Sequence, residues 1–127
     1  MSQPVYEFPA ALDRDYLDQM YGEDWEYAFD MFETYVETLK EMMPDFEKSM
    51  EEKEWSLLGQ YIHKLRPGFK MVGYQKAFAL ADEIEERGFD NYEPELRLEK
   101  ASQLLSLMGE SLPLMEAESK KLKALIS

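Results

Sequence analysis

One apolar stripe constrains this chain more than any other feature. Trp25, Phe29, Phe32, Val36, Leu39, Met43, Phe46 and Met50 follow one another at alternating intervals of four and three residues. Only an α-helix brings positions so spaced onto one face, and a stripe this long needs partner helices to cover it. Asp24 is placed to cap the start of this helix. Pro44 lies inside it and removes a backbone donor, so a bend is expected there. Because the stripe keeps its phase beyond Pro44, the segment reads as one bent helix.

The rest of the chain repeats the pattern in shorter pieces. Asp13 can cap a short helix through Tyr16 and Leu17 that ends near Gly22. From about Glu54 a further helix has Leu58, Ile62, Leu65, Phe69 and Val72 as its inner face. Another runs from about Gln75 to Arg87 with Phe78, Ala81 and Ile84 inward, closed by Gly88. Pro94 suits the first turn of the last helix, whose stripe reads Leu98, Ala101, Leu105, Met108, Leu112, Met115, Ser119, Leu122 and Ile126. Strand alternation is nowhere sustained. The expected fold is all-α: an antiparallel up-down four-helix bundle with a short accessory N-terminal helix, forming a single domain over residues 1–127. Residues 1–12 are expected to be a poorly ordered or extended segment.

Charge narrows the choice of partners. The formal net charge is −13, which repels a phosphate backbone or an anionic lipid surface, so neither nucleic acid nor membrane is an expected partner. Hydrophobic residues at 45% argue against disorder. No apolar run approaches the roughly 18 residues of a bilayer span, there is no cysteine, and the opening Met1 to Leu12, without a basic region and apolar stretch, is not expected to be a signal peptide. The cytoplasm is the expected compartment and a monomer the expected state. Although 27 of 127 residues are acidic, no Asp or Glu occurs from Ser56 through Ala81. That window holds Lys64, Arg66, Lys70, Lys76 and the single histidine, His63.

On a helix of about 100° per residue, His63 falls roughly 140° from the centre of the Leu58–Val72 stripe and faces solvent. Its neighbours along that face are Gly59, Arg66, Pro67 and Lys70. A lone histidine is most often incidental, but this one is exposed, beside a residue without a side chain, and flanked by cations. A neutral imidazole is a competent nucleophile near neutral pH and forms a phosphoramidate on attacking phosphorus. Arg66 and Lys70 are expected to balance the added charge, and Gly59 to leave clearance for another protein's active site. The neighbouring sequence offers no magnesium ligand and no obvious base, so a partner would bring the remaining apparatus. Other chemistries lack their motifs: there is no pair of Glu-x-x-His sequences for a di-iron bundle, no nucleophile elbow, no Walker A loop and no GxGxxG.

The stretch His63-Lys64-Leu65-Arg66-Pro67-Gly68-Phe69-Lys70-Met71-Val72-Gly73 resembles the phosphoacceptor helix of histidine phosphotransfer (HPt) domains. Leu65, Val72 and Gly73 match that family's pattern, and Arg66 stands where it has Lys. The segment from Leu12 to Phe32, the opening Lys53-Glu54-Trp55 and the order of helices extend the resemblance over nearly the whole chain. It implies a phosphoryl carrier with His63 as phosphoacceptor and Arg66, Lys70, Lys64, Gly59, Pro67 and Gly68 as docking support. The implied partners are receiver domains of response regulators and hybrid histidine kinases, with magnesium held by the receiver and no cofactor on this chain. With no kinase or receiver domain in the sequence, a diffusible intermediate is the expectation. Pro67 departs from the family, which has Gly there, and Gly68 takes the next small position. A kinked continuous helix is expected rather than a turn after Arg66, because the buried stripe stays in phase. Two rivals remain: a bundle that binds a receiver or other protein without phosphotransfer, and a structural bundle with a fortuitous cationic face.

Overall fold

The computed structural model describes residues 6–127. Five α-helices follow in order: α1 Arg14–Tyr21, α2 Trp25–Glu51, α3 Trp55–Met71, α4 Gln75–Arg87 and α5 Pro94–Ile126, with a 3-10 turn at Phe89–Asn91 before α5. No strand occurs among the described residues. Each of α2 to α5 packs on the next, and α5 returns to pack along α2, which closes an antiparallel four-helix ring. The short α1 leans on α2 at one end.

Local chemistry sets the helix ends. Asp13 and Asp24 cap α1 and α2 by accepting from the backbone N–H of Tyr16 and Tyr27. Gly22 at φ 56° and Gly88 at φ 92° close α1 and α4 in the left-handed region that a glycine enters without steric cost. Pro44, Pro67 and Pro113 all lie inside helices that run through them, and each is exposed. A proline on the solvent side frees a carbonyl that water can satisfy, so the packed face continues undisturbed. The continuous α3 therefore answers the Pro67 question in favour of one helix.

Leu58, Ile62, Leu65, Phe69 and Val72 are all buried, as the α3 stripe predicts. In α4 the inner face is Ala77, Ala81 and Ile84, and Phe78 is only half-buried. The α5 stripe is corrected: its buried positions are Ala101, Leu104, Met108, Ser111, Met115, Glu118 and Leu122, and Leu98 is exposed. Leu105 and Leu112 lie half-buried at the flank instead. The seam passes through Ser111 because Ser111 donates to the Met108 carbonyl at 2.8 Å and accepts from the buried Tyr35 hydroxyl at 2.7 Å. A buried hydroxyl without that partner would cost about 1–3 kcal/mol, enough to decide the rotation of a helix that is apolar on more than one side.

Of the N-terminal segment, residues 1–5 lie outside the described residues. Residues 6–9 form no regular element, yet Phe8 stacks on Phe32 with ring centroids 5.7 Å apart and Leu12 is buried.

Candidate functional site

α3 and α4 form a hairpin across Val72, Gly73 and Tyr74, and this hairpin assembles the site. Gly73 has φ 69°, and a Cβ there would stand 2.9 Å from the Leu17 side chain. Its carbonyl accepts from Asp13 N–H at 2.9 Å. The turn thus needs glycine twice, for its backbone and for the close approach of α1. Tyr21 adds a hydroxyl bond to the Met71 carbonyl at 2.6 Å, and Gln75 donates to Asp13 at 2.8 Å. α1 is thereby fixed to the end of α3.

His63 projects from the outer face of α3 with its side chain 75% exposed, where the helix phase predicts it. Its surroundings differ from the sequence expectation. Glu85 of α4 stands with Oε2 2.6 Å from His63 Nδ1. Asp82, one turn earlier on α4, lies 2.6 Å from Arg66, and the second Arg66 nitrogen is 3.8 Å from Glu85 Oε1. Glu85 Oε1 and Arg66 Nε are buried without a hydrogen-bond partner among the described groups, so the longer contact is electrostatic. The expectation that no obvious base stands near the imidazole is therefore corrected. The window from Ser56 to Ala81 is free of acid in sequence, but the hairpin brings carboxylates in from just beyond its end. Arg66 is likewise not a free cation, because Asp82 already balances much of its charge.

A carboxylate at Nδ1 has a direct chemical consequence. Neutral imidazole carries one N–H, and a carboxylate at Nδ1 favours the tautomer with that proton on Nδ1 and the lone pair on Nε2. The carboxylate holds the ring from its Nδ1 side while the His63 side chain stays 75% exposed.

The other expected residues divide. Lys70 is exposed, and its Nζ lies 5.4 Å from the ring centroids of both Tyr16 and Phe78. Lys64 is exposed and borders an open groove between α3 and the 3-10 turn, beside His63, Gln60 and Asn91. Gly59 lines that groove too, but a Cβ there would meet the Phe89 ring at 3.7 Å. That is an ordinary contact distance, so Gly59 borders the groove with the Phe89 ring at its side. Gly68 faces Tyr35 of α2, and a Cβ there would meet that ring at an ordinary contact distance of 3.5 Å. Pro67 is exposed on the ridge between His63 and Lys70 and leaves the His63 carbonyl without its helical donor. Sequence reasoning missed Glu85, Asp82, Tyr16 and Phe78. Among the described residues no three His, Cys, Asp or Glu side chains group to hold a metal ion, and no helix is long and apolar enough to cross a membrane.

The sequence profile described as the Hpt domain matches residues 30–125. No curated protein and no solved structure gives a significant match.

Proposed function

The chain belongs to the Hpt domain family, whose members carry phosphoryl groups in phosphorelays and interact with receiver domains without being catalysts themselves, and we propose that Nε2 of His63 is its phosphoacceptor. Phosphate would arrive from the phosphoaspartate of one receiver domain, in a hybrid histidine kinase or a response regulator, and leave for the aspartate of another. The observation that carries the reading is the pairing of an exposed imidazole with a carboxylate at Nδ1.

In the forward step the Nε2 lone pair attacks phosphorus. The bond between phosphorus and the aspartyl oxygen breaks, and the carboxylate leaves with the electron pair. No proton has to depart, because Nδ1–H remains in place. The ring gains positive charge during attack, and Glu85 faces that charge across 2.6 Å, so the interaction strengthens as the new bond forms. In the reverse step a receiver carboxylate attacks phosphorus and the bonding pair returns to Nε2. A receiver domain would hold the magnesium, which would supply charge balance for the phosphoryl oxygens. Lys64, exposed beside His63, is available to the phosphoryl group, whereas Arg66 chiefly holds Asp82 and Glu85 in place.

The test is incubation with a phosphorylated receiver domain and magnesium. Label that is acid-labile and base-stable should appear on the wild type and be absent from His63→Gln. Equal label on both proteins would overturn the assignment. Binding of receivers without any label would favour the pure binding module instead.

A further inference from the structure

Three cations stand along α3 near His63, and the structure treats them differently. Arg66 is paired with Asp82 and Glu85. Lys64 has no carboxylate within 4.0 Å among the described residues and no ring beneath it. Lys70 also has no carboxylate within that distance, but its ammonium lies between two aromatic faces, Tyr16 of α1 and Phe78 of α4. Phe78 additionally carries the Arg66 guanidinium on its ring at 5.6 Å. Asp13 borders the same hollow, yet its oxygens are engaged by Tyr16 N–H and Gln75.

This arrangement keeps a cation both oriented and unneutralised. A free lysine loses the rotamer freedom of a four-carbon stem when it docks. Contact with ring faces restricts that stem beforehand without cancelling the charge. Tyr16 can serve as a fixed wall because α1 is anchored to the α3–α4 turn by the Asp13, Gln75 and Tyr21 bonds and by Leu17 against Gly73. Lys70 lies two helical turns beyond His63, about 10 Å along the axis at roughly 1.5 Å per residue. An active site closing over His63 would extend its rim to that distance.

Resting on the reading of His63 as phosphoacceptor, we infer that Lys70, held by Tyr16 and Phe78, is the docking cation that meets the carboxylate-rich face of a receiver domain, and that Arg66 is not. Lys70 acts by positioning the receiver and touches none of the reacting atoms. The surrounding charge supports one side of approach. On the exposed surface of α4, Glu83 is paired with Lys100, but Glu86 has no cation within 4.0 Å among the described residues and repels an acidic partner, while the ridge from His63 over Pro67 to Lys70 leads away from it.

The experiment measures transfer from a phosphorylated receiver domain to the full chain as a function of receiver concentration. Lys70→Gln should raise the half-saturating concentration about three- to fivefold and leave the rate at saturation within about twofold, with the penalty shrinking as ionic strength rises. Lys70→Arg should restore the wild-type value, since guanidinium also stacks on rings. Tyr16→Leu retains the charge and loses one wall, and should give about a twofold rise. An unchanged half-saturation in Lys70→Gln, a loss confined to the saturated rate, or a penalty insensitive to salt would overturn the inference. Absence of label on the wild type would overturn the phosphoacceptor reading itself, so the two failures are distinguishable.

Discussion

Removing the carboxylate at Nδ1 tests the chemistry of the site most directly. Glu85 Oε2 lies 2.6 Å from His63 Nδ1, with the histidine side chain 75% exposed and the glutamate 21% exposed. A charge-assisted hydrogen bond is worth about 1.5–3 kcal/mol when well desolvated. Solvent reaches the histidine freely here, and screening reduces that to about 1 kcal/mol. At about 1.4 kcal/mol per factor of ten, Glu85→Ala should slow phosphoryl transfer at saturating receiver about fivefold. Glu85→Gln keeps a carbonyl oxygen that accepts from Nδ1–H and loses only the charge, so it should slow transfer about twofold. Rapid-quench measurement of label on His63 gives the rates, and two-bond nitrogen–proton spectra of the ring report the tautomer directly. The wild type should hold its proton on Nδ1, and Glu85→Ala should populate both tautomers. If Glu85→Ala keeps both the Nδ1–H form and the wild-type rate, Glu85 does not orient the nucleophile. If Glu85→Gln is as slow as Glu85→Ala, charge alone is at work and the argument from tautomer fails.

Two further expectations concern stability. Leu65→Ala removes a side chain that is 2% exposed and should cost about 2–5 kcal/mol, whereas His63→Ala should cost no more than about 1 kcal/mol; urea unfolding followed by circular dichroism measures both, and similar losses would place the imidazole in the core. Burial pushes the Tyr35 and Tyr21 hydroxyls well above the usual tyrosine value, against a smaller opposing effect of the Ser111 bond at Tyr35 and with help from neighbouring Tyr27 and Tyr16 at Tyr21. The unfolded chain therefore ionises first, near pH 10, so stability should be intact below that pH and fall above it, by up to about 1.4 kcal/mol per pH unit for each tyrosine. Urea titrations from pH 8 to 11 should show the decline, and Tyr35→Phe should make it shallower without abolishing it, since burial raises Tyr21 and Tyr74 as well; a flat profile would contradict the burial of both hydroxyls.

Much of the fold was legible because the helix stripes of α2 and α3 are dense enough to admit one phase. Both aspartate caps, Gly88 and the exposure of His63 followed from residue type and spacing alone. The last helix resisted because its apolar residues exceed one face. Leu112 is far more hydrophobic than Ser111 and Leu105 no less so than Leu104, yet Ser111 is inside since Tyr35 needs it. That constraint belongs to a pair of residues on different helices, and no count along one helix contains it. Glu118, 1% exposed between Met115 and Leu122 and paired with Lys121 on its own helix, is invisible to hydrophobic periodicity because it is a charged residue on the packed face.

The misjudged surroundings of His63 have a simpler origin, and a remedy within the sequence. The acid-free window was read as a line, whereas the chain folds it in two. In an antiparallel hairpin, residues equidistant from the turn stand opposite one another. Taking Tyr74 as the centre pairs His63 with Glu85, Arg66 with Asp82 and Lys70 with Phe78, and these are the contacts observed. The turn itself was marked by Gly73 followed by the new stripe of α4. The same window that ends at Ala81 thus stops one residue short of the carboxylates that the fold sets against its cations. Clearing acid from α3 leaves the outer ridge of His63 and Lys70 open to an acidic partner. Keeping acid on α4 sets a carboxylate against the imidazole nitrogen that faces it. On the proposed reading the two helices divide the demands of a phosphoryl carrier, attraction at the solvent edge and orientation at the edge facing α4, and neither sequence segment by itself carries both.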